Sequence, residues 1–135
     1  MIHTHTVRVP FVRGKGRPRF VRATGRAYTP DKTAEAMAAI RAAWADETDE
    51  KAPSGTPVTV TIVTLRPLPK SRPKKVKREA DTVKPDADNI AKCVLDALNG
   101  VAWYDDTQVT RLSVVKLDRF VGAQEQTSIY VTWED

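Results

Sequence analysis

The sequence predicts an α+β fold, one mixed β-sheet of about four main strands with two helices packed on it. Three observations predict it. Runs of alternating, β-branched residues recur at 2–12, 57–65, 107–117 and 127–133, the pattern of half-buried strands. Two stretches, after Thr29-Pro30 and after Asp88, space their apolar residues for one face of a helix. Two basic segments broken by proline and glycine separate these elements and support no long element of their own. The expected order is strand, hairpin, helix, strand, helix, strand, strand. At 135 residues the chain suits one domain, 1–135, around one core.

The first strand carries Ile2, Thr4, Thr6, Val7 and Val9 and closes at Pro10. His3 and His5 share one of its faces. Without softer ligands nearby they are weak ground for a transition-metal site, and side chains near a terminus are expected to be exposed. In RGKGRPRFVRATGRAYTP, Gly14, Gly16, Pro18 and Gly25 interrupt any regular element. Residues 20–22 and 27–28 are expected to pair as a short hairpin around Ala23-Thr24-Gly25. No Gly-Lys-Ser/Thr ending follows Gly14 and Gly16, which excludes a nucleotide-binding P-loop.

Thr29 then caps a helix, Pro30 suits its first position, and Asp31 complements its dipole. Met37, Ile40 and Trp44 form its apolar stripe, among alanines that favour helix intrinsically. Polar residues 46–55 end it. Residues 57–65 are the strongest strand signal. Residues 66–83, RPLPKSRPKKVKREADTV, read as a mobile basic loop, too rich in proline and charge to form an element.

The second helix is expected from about 88 to 99, with Gly100 as its left-handed stop. Ile90, Ala91, Val94, Leu95, Ala97 and Leu98 gather on its core side. Asp88, Lys92 and Asp96 fall at i, i+4 and i+8 on another stripe, which puts Lys92 beside Asp88. Asp96 is expected to pair with Lys92 and to play no part in chemistry. Asp105-Asp106 signals a turn before the strand at 107–117, and Ile129, Val131 and Trp133 share a face of the last strand.

The net charge of +5 conceals an asymmetry. Residues 13–32 carry seven Lys/Arg against one acid, and residues 66–84 carry eight against two, so the remainder is net acidic. Basic arms around an acidic centre suggest a polyanion held by the arms and a cation held in the centre. Arg17, Arg19, Arg22 and Arg26 in the first arm, with Arg72, Lys74, Lys75 and Lys77 in the second, are the candidate DNA-backbone contacts. No apolar run approaches the roughly 18 residues needed to span a bilayer, and the N-terminus lacks the order of a signal peptide. The single Cys93 suits a reducing cytoplasm and, placed mid-helix far from either histidine, reads as a buried packing residue.

The chemistry concentrates in KPDADNIAKCVLDALNGVAWYDD. Two carboxylates one residue apart on an extended entry segment would face the same way, so Asp86 and Asp88 can reach one ion. A further carboxylate from Asp105 or Asp106 would complete an oxygen-only pocket. Such a pocket suits Mg²⁺, and the lack of clustered Cys or His disfavours zinc. Lys92 could stabilise the developing charge of a phosphodiester under attack or orient the water. Asp-x-Asp also holds metal–nucleotide sugars in glycosyltransferases, but the chain lacks the repeated βα units and the Gly-rich turn of nucleotide binding.

KPDADNIAKCVLDALNGVAWYDDTQV, followed by Leu112 and Lys116, resembles the signature of RusA-type Holliday junction resolvases, small endonucleases of bacteria and phages. The resemblance is close over residues 84–116 and extends loosely to RPRF and GRAYTP. It implies catalytic roles for Asp86, Asp88 and Asp106 with Lys92 as the essential basic residue, and leaves Asp105 a supporting or alternative metal ligand. It also implies an α+β homodimer that uses Mg²⁺, or Mn²⁺ in its place, and no organic cofactor. The expected substrate is a four-way DNA junction, cut by paired symmetrical nicks in the cytoplasm of a bacterial or phage-infected cell. No membrane partner is expected. The alternative is a catalytically silent module that binds branched DNA through the same arms.

Overall fold

The computed structural model describes the backbone of the chain except residues 17, 18, 22, 24, 29 and 30, and over 19–21 and 26–28 it describes the backbone alone. The expected cap Thr29, first helical residue Pro30, and DNA contacts Arg17 and Arg22 therefore lie outside the described residues. Arg19 and Arg26 are described only as strand backbone.

Four strands form the main sheet. They are β1 (Ile2–Val9), β4 (Val58–Leu65), β6 (Val109–Lys116) and β8 (Gln126–Glu134), in the order β1-β8-β4-β6. β8 runs antiparallel to both β1 and β4, whereas β4 and β6 are parallel, so the sheet is mixed as expected. The hairpin expected around residue 25 is β2 (Arg19–Val21) against β3 (Arg26–Tyr28). Two helices, α1 (Asp31–Glu47) and α2 (Ala87–Leu98), complete the α+β architecture.

The two-residue period of the strands decides which side the helices cover. Val58, Val60, Ile62, Ile129, Val131 and Trp133 all point to one face and are buried. Thr33, Ala36, Ile40 and Trp44 supply the α1 stripe, and Ile90, Val94, Ala97 and Leu98 supply that of α2. The other sheet face carries Thr59, Thr61, Tyr130 and Thr132, all in contact with solvent. Deleting a side chain from the covered face, as in Ile62→Ala, costs about 2–5 kcal/mol because the cavity collapses only in part.

His3 and His5 depart from expectation. They lie on the covered face of β1, opposite Trp133 and Val131 of β8, and are half-buried beside the end of α1. His3 Nδ1 lies 2.5 Å from Glu50 Oε2, and Nε2 lies 3.0 Å from Asp135 Oδ1. The hydrogen bond to Asp135, with the neighbouring negative charges, raises the His3 pKa. Pairing the N-terminal strand with the last strand is what brings a near-terminal segment under a helix.

The parallel β4/β6 pair requires a crossover, and that crossover carries the candidate chemistry. From the end of β4 the chain passes through residues 66–86, into α2, through a 3₁₀ turn at Asp106–Gln108, and back into β6. Within the segment expected to be a loop, β5 (Arg78–Glu79) pairs with β7 (Arg119–Phe120).

Candidate active site

α2 starts one residue earlier than the sequence suggested. Asp86 is its N-cap, with extended backbone at φ −68° and ψ 152°, and Ala87 is already helical. Asp88 therefore sits on the helix rather than on an extended lead-in. Asp86 stays on the extended backbone just before the helix, and Asp88 is the second residue of its first turn. Both are exposed. Asp88 Oδ2 lies 3.9 Å from Lys92 Nζ, and both side chains are largely in solvent, so the i, i+4 pairing is present as expected.

The segment that delivers Asp86 is bolted to the sheet by two cations. Arg66, just beyond β4, donates from Nε and Nη2 to the two oxygens of Asp81 at 2.9 and 2.6 Å. It also donates to the Lys84 carbonyl at 2.8 Å and the Val83 carbonyl at 3.3 Å. Lys116, at the end of β6, donates to the carbonyls of Val83 at 2.6 Å and Pro85 at 3.0 Å. These strand ends adjoin because Thr64 and Lys116 are register partners. The Asp81 carboxylate is buried. Burial pushes its pKa up, but the hydrogen bonds and charge of Arg66, with Lys116, more than reverse this and leave it below the usual value. The Lys84–Pro85 peptide bond is cis.

The other end of α2 leads to the second acidic pair. Gly100, with φ of +77°, follows the helix as the expected left-handed stop. Trp103 is fully buried and donates its indole N–H to Asp106 Oδ1 at 2.8 Å. Asp105 caps the 3₁₀ turn by accepting from the Thr107 N–H at 3.0 Å. Gln108, also buried, accepts from the backbone N–H groups of Tyr104 and Asp105 and donates to the carbonyls of Pro53 and Thr56. Asp106 is thus oriented on one oxygen and half-buried. Burial raises its pKa, the Trp103 N–H opposes this, and the charges of Asp96 and Asp105 add to the rise.

The electrostatic neighbour of Asp106 on the helix is therefore Asp96, two turns beyond Asp88. Asp96 does not pair with Lys92 as expected. Its carboxylate is bound by the Lys15 ammonium, which reaches it from the segment before the hairpin. Cys93, one turn back, is buried, and burial together with the Asp96 charge pushes its thiol up to about 11. Such a thiol is inert, in keeping with a packing role.

A cavity of about 560 Å³ opens at the head of α2, lined by Arg13, Lys15, Lys84, Asp86, Asn89 and Glu125 among others. Of the basic loop, Arg72 donates to Glu79 at 3.0 and 3.2 Å, and Arg119 donates to the same carboxylate at 2.6 Å. Lys74, Lys75 and Lys77 are exposed. Among the described residues no three His, Cys, Asp or Glu side chains are gathered closely enough to hold a metal ion. Asp86, Asp88, Asp105 and Asp106 suit a hard dication in donor type, but they stand towards opposite ends of α2.

A family model described as endodeoxyribonuclease RusA matches residues 10–132, which takes in the clamp, α2 and both acidic pairs. The chain belongs to the RusA endodeoxyribonuclease family. It is also similar to the uncharacterized protein YqaN of Bacillus subtilis (strain 168), 44% identical over 68 residues that make up 44% of this chain and 48% of that one. This RusA family member thus spans about half the length of that relative. No helix among its described residues is long and apolar enough to cross a membrane.

Four residues have roles at this site that sequence reasoning does not reach: Lys15, Arg66, Trp103 and Lys116. Arg66 and Lys116 each follow or end a strong strand, the one local hint that their side chains act at the sheet's edge. Lys15 is flanked by two glycines, and only the close packing of that loop gives the spacing meaning.

Proposed function

We propose that this RusA family member is a Mg²⁺-dependent endodeoxyribonuclease that resolves four-way DNA junctions by paired nicks, in the cytoplasm of a bacterial or phage-infected cell. The observation that carries this reading is the family match over residues 10–132, which includes both aspartate pairs and Lys92. Asp86, Asp88 and Asp106, with Asp105 in support, would hold Mg²⁺, with Mn²⁺ able to replace it. The ion when bound would activate a water and neutralise charge developing on the phosphodiester.

The chain's own groups supply the remaining functions. Arg66 and Lys116 fix the backbone before Asp86, and the Trp103 indole fixes one oxygen of Asp106. Lys92, exposed beside Asp88, would meet a phosphate oxygen. Arg17, Arg19, Arg22 and Arg26, with Arg72, Lys74, Lys75 and Lys77, would bind the DNA backbone through charge. Two matched cuts in a two-fold junction call for two sites, which a homodimer supplies. β6 is the candidate seam: among the described residues it pairs with β4 on one side only, and Leu112, Val115 and Leu117 are exposed along and just past it.

One observation favours a second reading. The carboxylates at the two ends of α2 are not gathered around one ion, as would suit a silent module that binds branched DNA. Incubation with labelled junction, fork and linear duplex, with Mg²⁺ or with EDTA, separates the two. The nuclease reading expects symmetrical nicks in the junction with Mg²⁺ and none with EDTA. Binding of the junction without product at any Mg²⁺ or Mn²⁺ concentration would establish the silent module instead.

A further inference from the structure

We propose that Lys15 is a further active-site cation, contacting a phosphodiester oxygen of the DNA strand that enters the cavity beside Asp86, and that Asp96 is its positioning residue. The proposal rests on the DNA-binding part of the function proposed above. Lys15 belongs to a glycine-flanked loop, yet its place is fixed by three contacts. Its backbone N–H donates to the Asn89 carbonyl in the first turn of α2 at 2.9 Å. The Gly16 N–H donates to Oγ1 of buried Thr33 on α1, also at 2.9 Å. At Gly14 the backbone runs so close to α2 that an added Cβ would stand 2.7 Å from the Cβ of Pro85 and 3.1 Å from that of Asn89. A side chain at position 14 would push the loop, and Lys15 with it, off the helix.

From that anchorage the Lys15 side chain reaches the Asp96 carboxylate, with both side chains about one-third exposed at 34%. An ammonium has three donors. Among the described residues one is committed, to Asp96, which leaves two for an anion arriving from solvent. The cavity is lined by Arg13, Lys15, Arg66 and Lys84 against Asp86 and Glu125, an excess of positive charge suited to a phosphate. Arg66 is engaged with Asp81 and two backbone carbonyls, which leaves it poorly placed to bind an incoming group. Lys15 is the lining cation whose ammonium is held by a carboxylate of α2 itself, that of Asp96. A part-exposed ion pair contributes little to folding, so its removal is expected to act on DNA rather than on the fold.

The test compares Lys15→Ala, Lys15→Arg, Asp96→Asn and the double variant Lys15→Ala/Asp96→Asn with the full-length wild-type chain. Four-way junction binding is measured in EDTA over a range of salt concentrations. Single-turnover nicking is measured in Mg²⁺, and melting temperature is recorded for each variant. Lys15→Ala should reduce the slope of log Kd against log salt by about one and slow nicking on the order of 10²-fold. Its melting temperature should stay near wild type. Lys15→Arg should restore the salt slope. The double variant should nick no more slowly than Lys15→Ala alone, because Asp96 acts through Lys15. Should Lys15→Ala not fold, Lys15→Gln, which keeps the stem lying along α2, is read in its place.

A wild-type salt slope with wild-type nicking in Lys15→Ala would overturn the proposal. So would faster nicking in that variant, which would mark the Lys15–Asp96 pair as inhibitory, or additive losses in the double variant. If the wild-type chain nicks no junction, the nuclease reading fails by itself, while the salt slope in EDTA still decides the role of Lys15.

Discussion

Asp81→Asn tests the clamp beneath the candidate active site. The substitution keeps the side chain's shape and removes its charge, leaving Arg66 facing a neutral amide. Asp81 is almost wholly enclosed, its side chain 1% exposed, and Arg66 is 16% exposed. Breaking such a pair costs about 3–5 kcal/mol, because a buried charge is left without its partner. Arg66 keeps its bonds to the Val83 and Lys84 carbonyls, which favours the lower figure, about 3 kcal/mol. For a domain of this size that lowers the melting temperature by about 10 °C. The pH dependence has a defined sign. Asp81 ionises more easily folded than unfolded, so its contribution is complete above its ordinary value of 3.8 and is lost as pH falls through the lower folded value. The gap between wild type and Asp81→Asn should therefore narrow on acidification below about pH 4. Circular-dichroism melts across pH measure both effects. The double variant Arg66→Leu/Asp81→Leu separates stability from positioning. Replacing both charges with apolar groups should recover most of the stability, but the Lys84 carbonyl loses its donor and the Val83 carbonyl keeps only Lys116, so nicking should stay impaired. A loss under about 0.5 kcal/mol for Asp81→Asn, the size of an ordinary surface change, would refute the clamp as a stabilising element. Wild-type nicking by the double variant would refute its positioning role.

Two further outcomes follow from the acid and base placements. Asp106 is harder to ionise folded than unfolded, so its favourable contribution exists at low pH and is lost as pH rises through the raised folded value. Asp106→Asn, which can still accept from Trp103, should consequently melt at or above the wild-type temperature at neutral pH; a clear drop would contradict the assigned environment. Lys92→Ala should lower junction turnover by on the order of 10²-fold with little change in affinity or melting temperature, since the side chain is exposed and its pairing with Asp88 is loose. Equal losses in affinity and turnover, seen in parallel binding and single-turnover assays, would make it a binding residue only.

The main sheet was legible from β-branched and alternating runs, although β6, exposed over most of its length, alternates poorly. Val58–Leu65 is the plainest case. The helices were legible from Ile40 and Trp44 and from the Ile90–Leu98 stripe, and the stop at Gly100 was read correctly. What local sequence does not carry is partnership. Asp96 seemed destined for Lys92, four residues away, because local spacing says nothing of a lysine arriving from residue 15. Arg66 and Lys116 were invisible as a clamp, since three of their four partners are backbone carbonyls, which carry no residue-type signature. The acids of the candidate site could be found from chemistry, but the groups that hold them in place depend on the crossover of β4, α2 and β6.

The central claim is that the aspartates at the two ends of α2 belong to one nuclease centre. Its most direct test is single-turnover nicking of a synthetic four-way junction in Mg²⁺ by Asp86→Asn and by Asp106→Asn, with junction affinity measured alongside. Both variants should lose nicking by on the order of 10³-fold or more while binding the junction about as tightly as wild type. Wild-type nicking by either variant would contradict the claim.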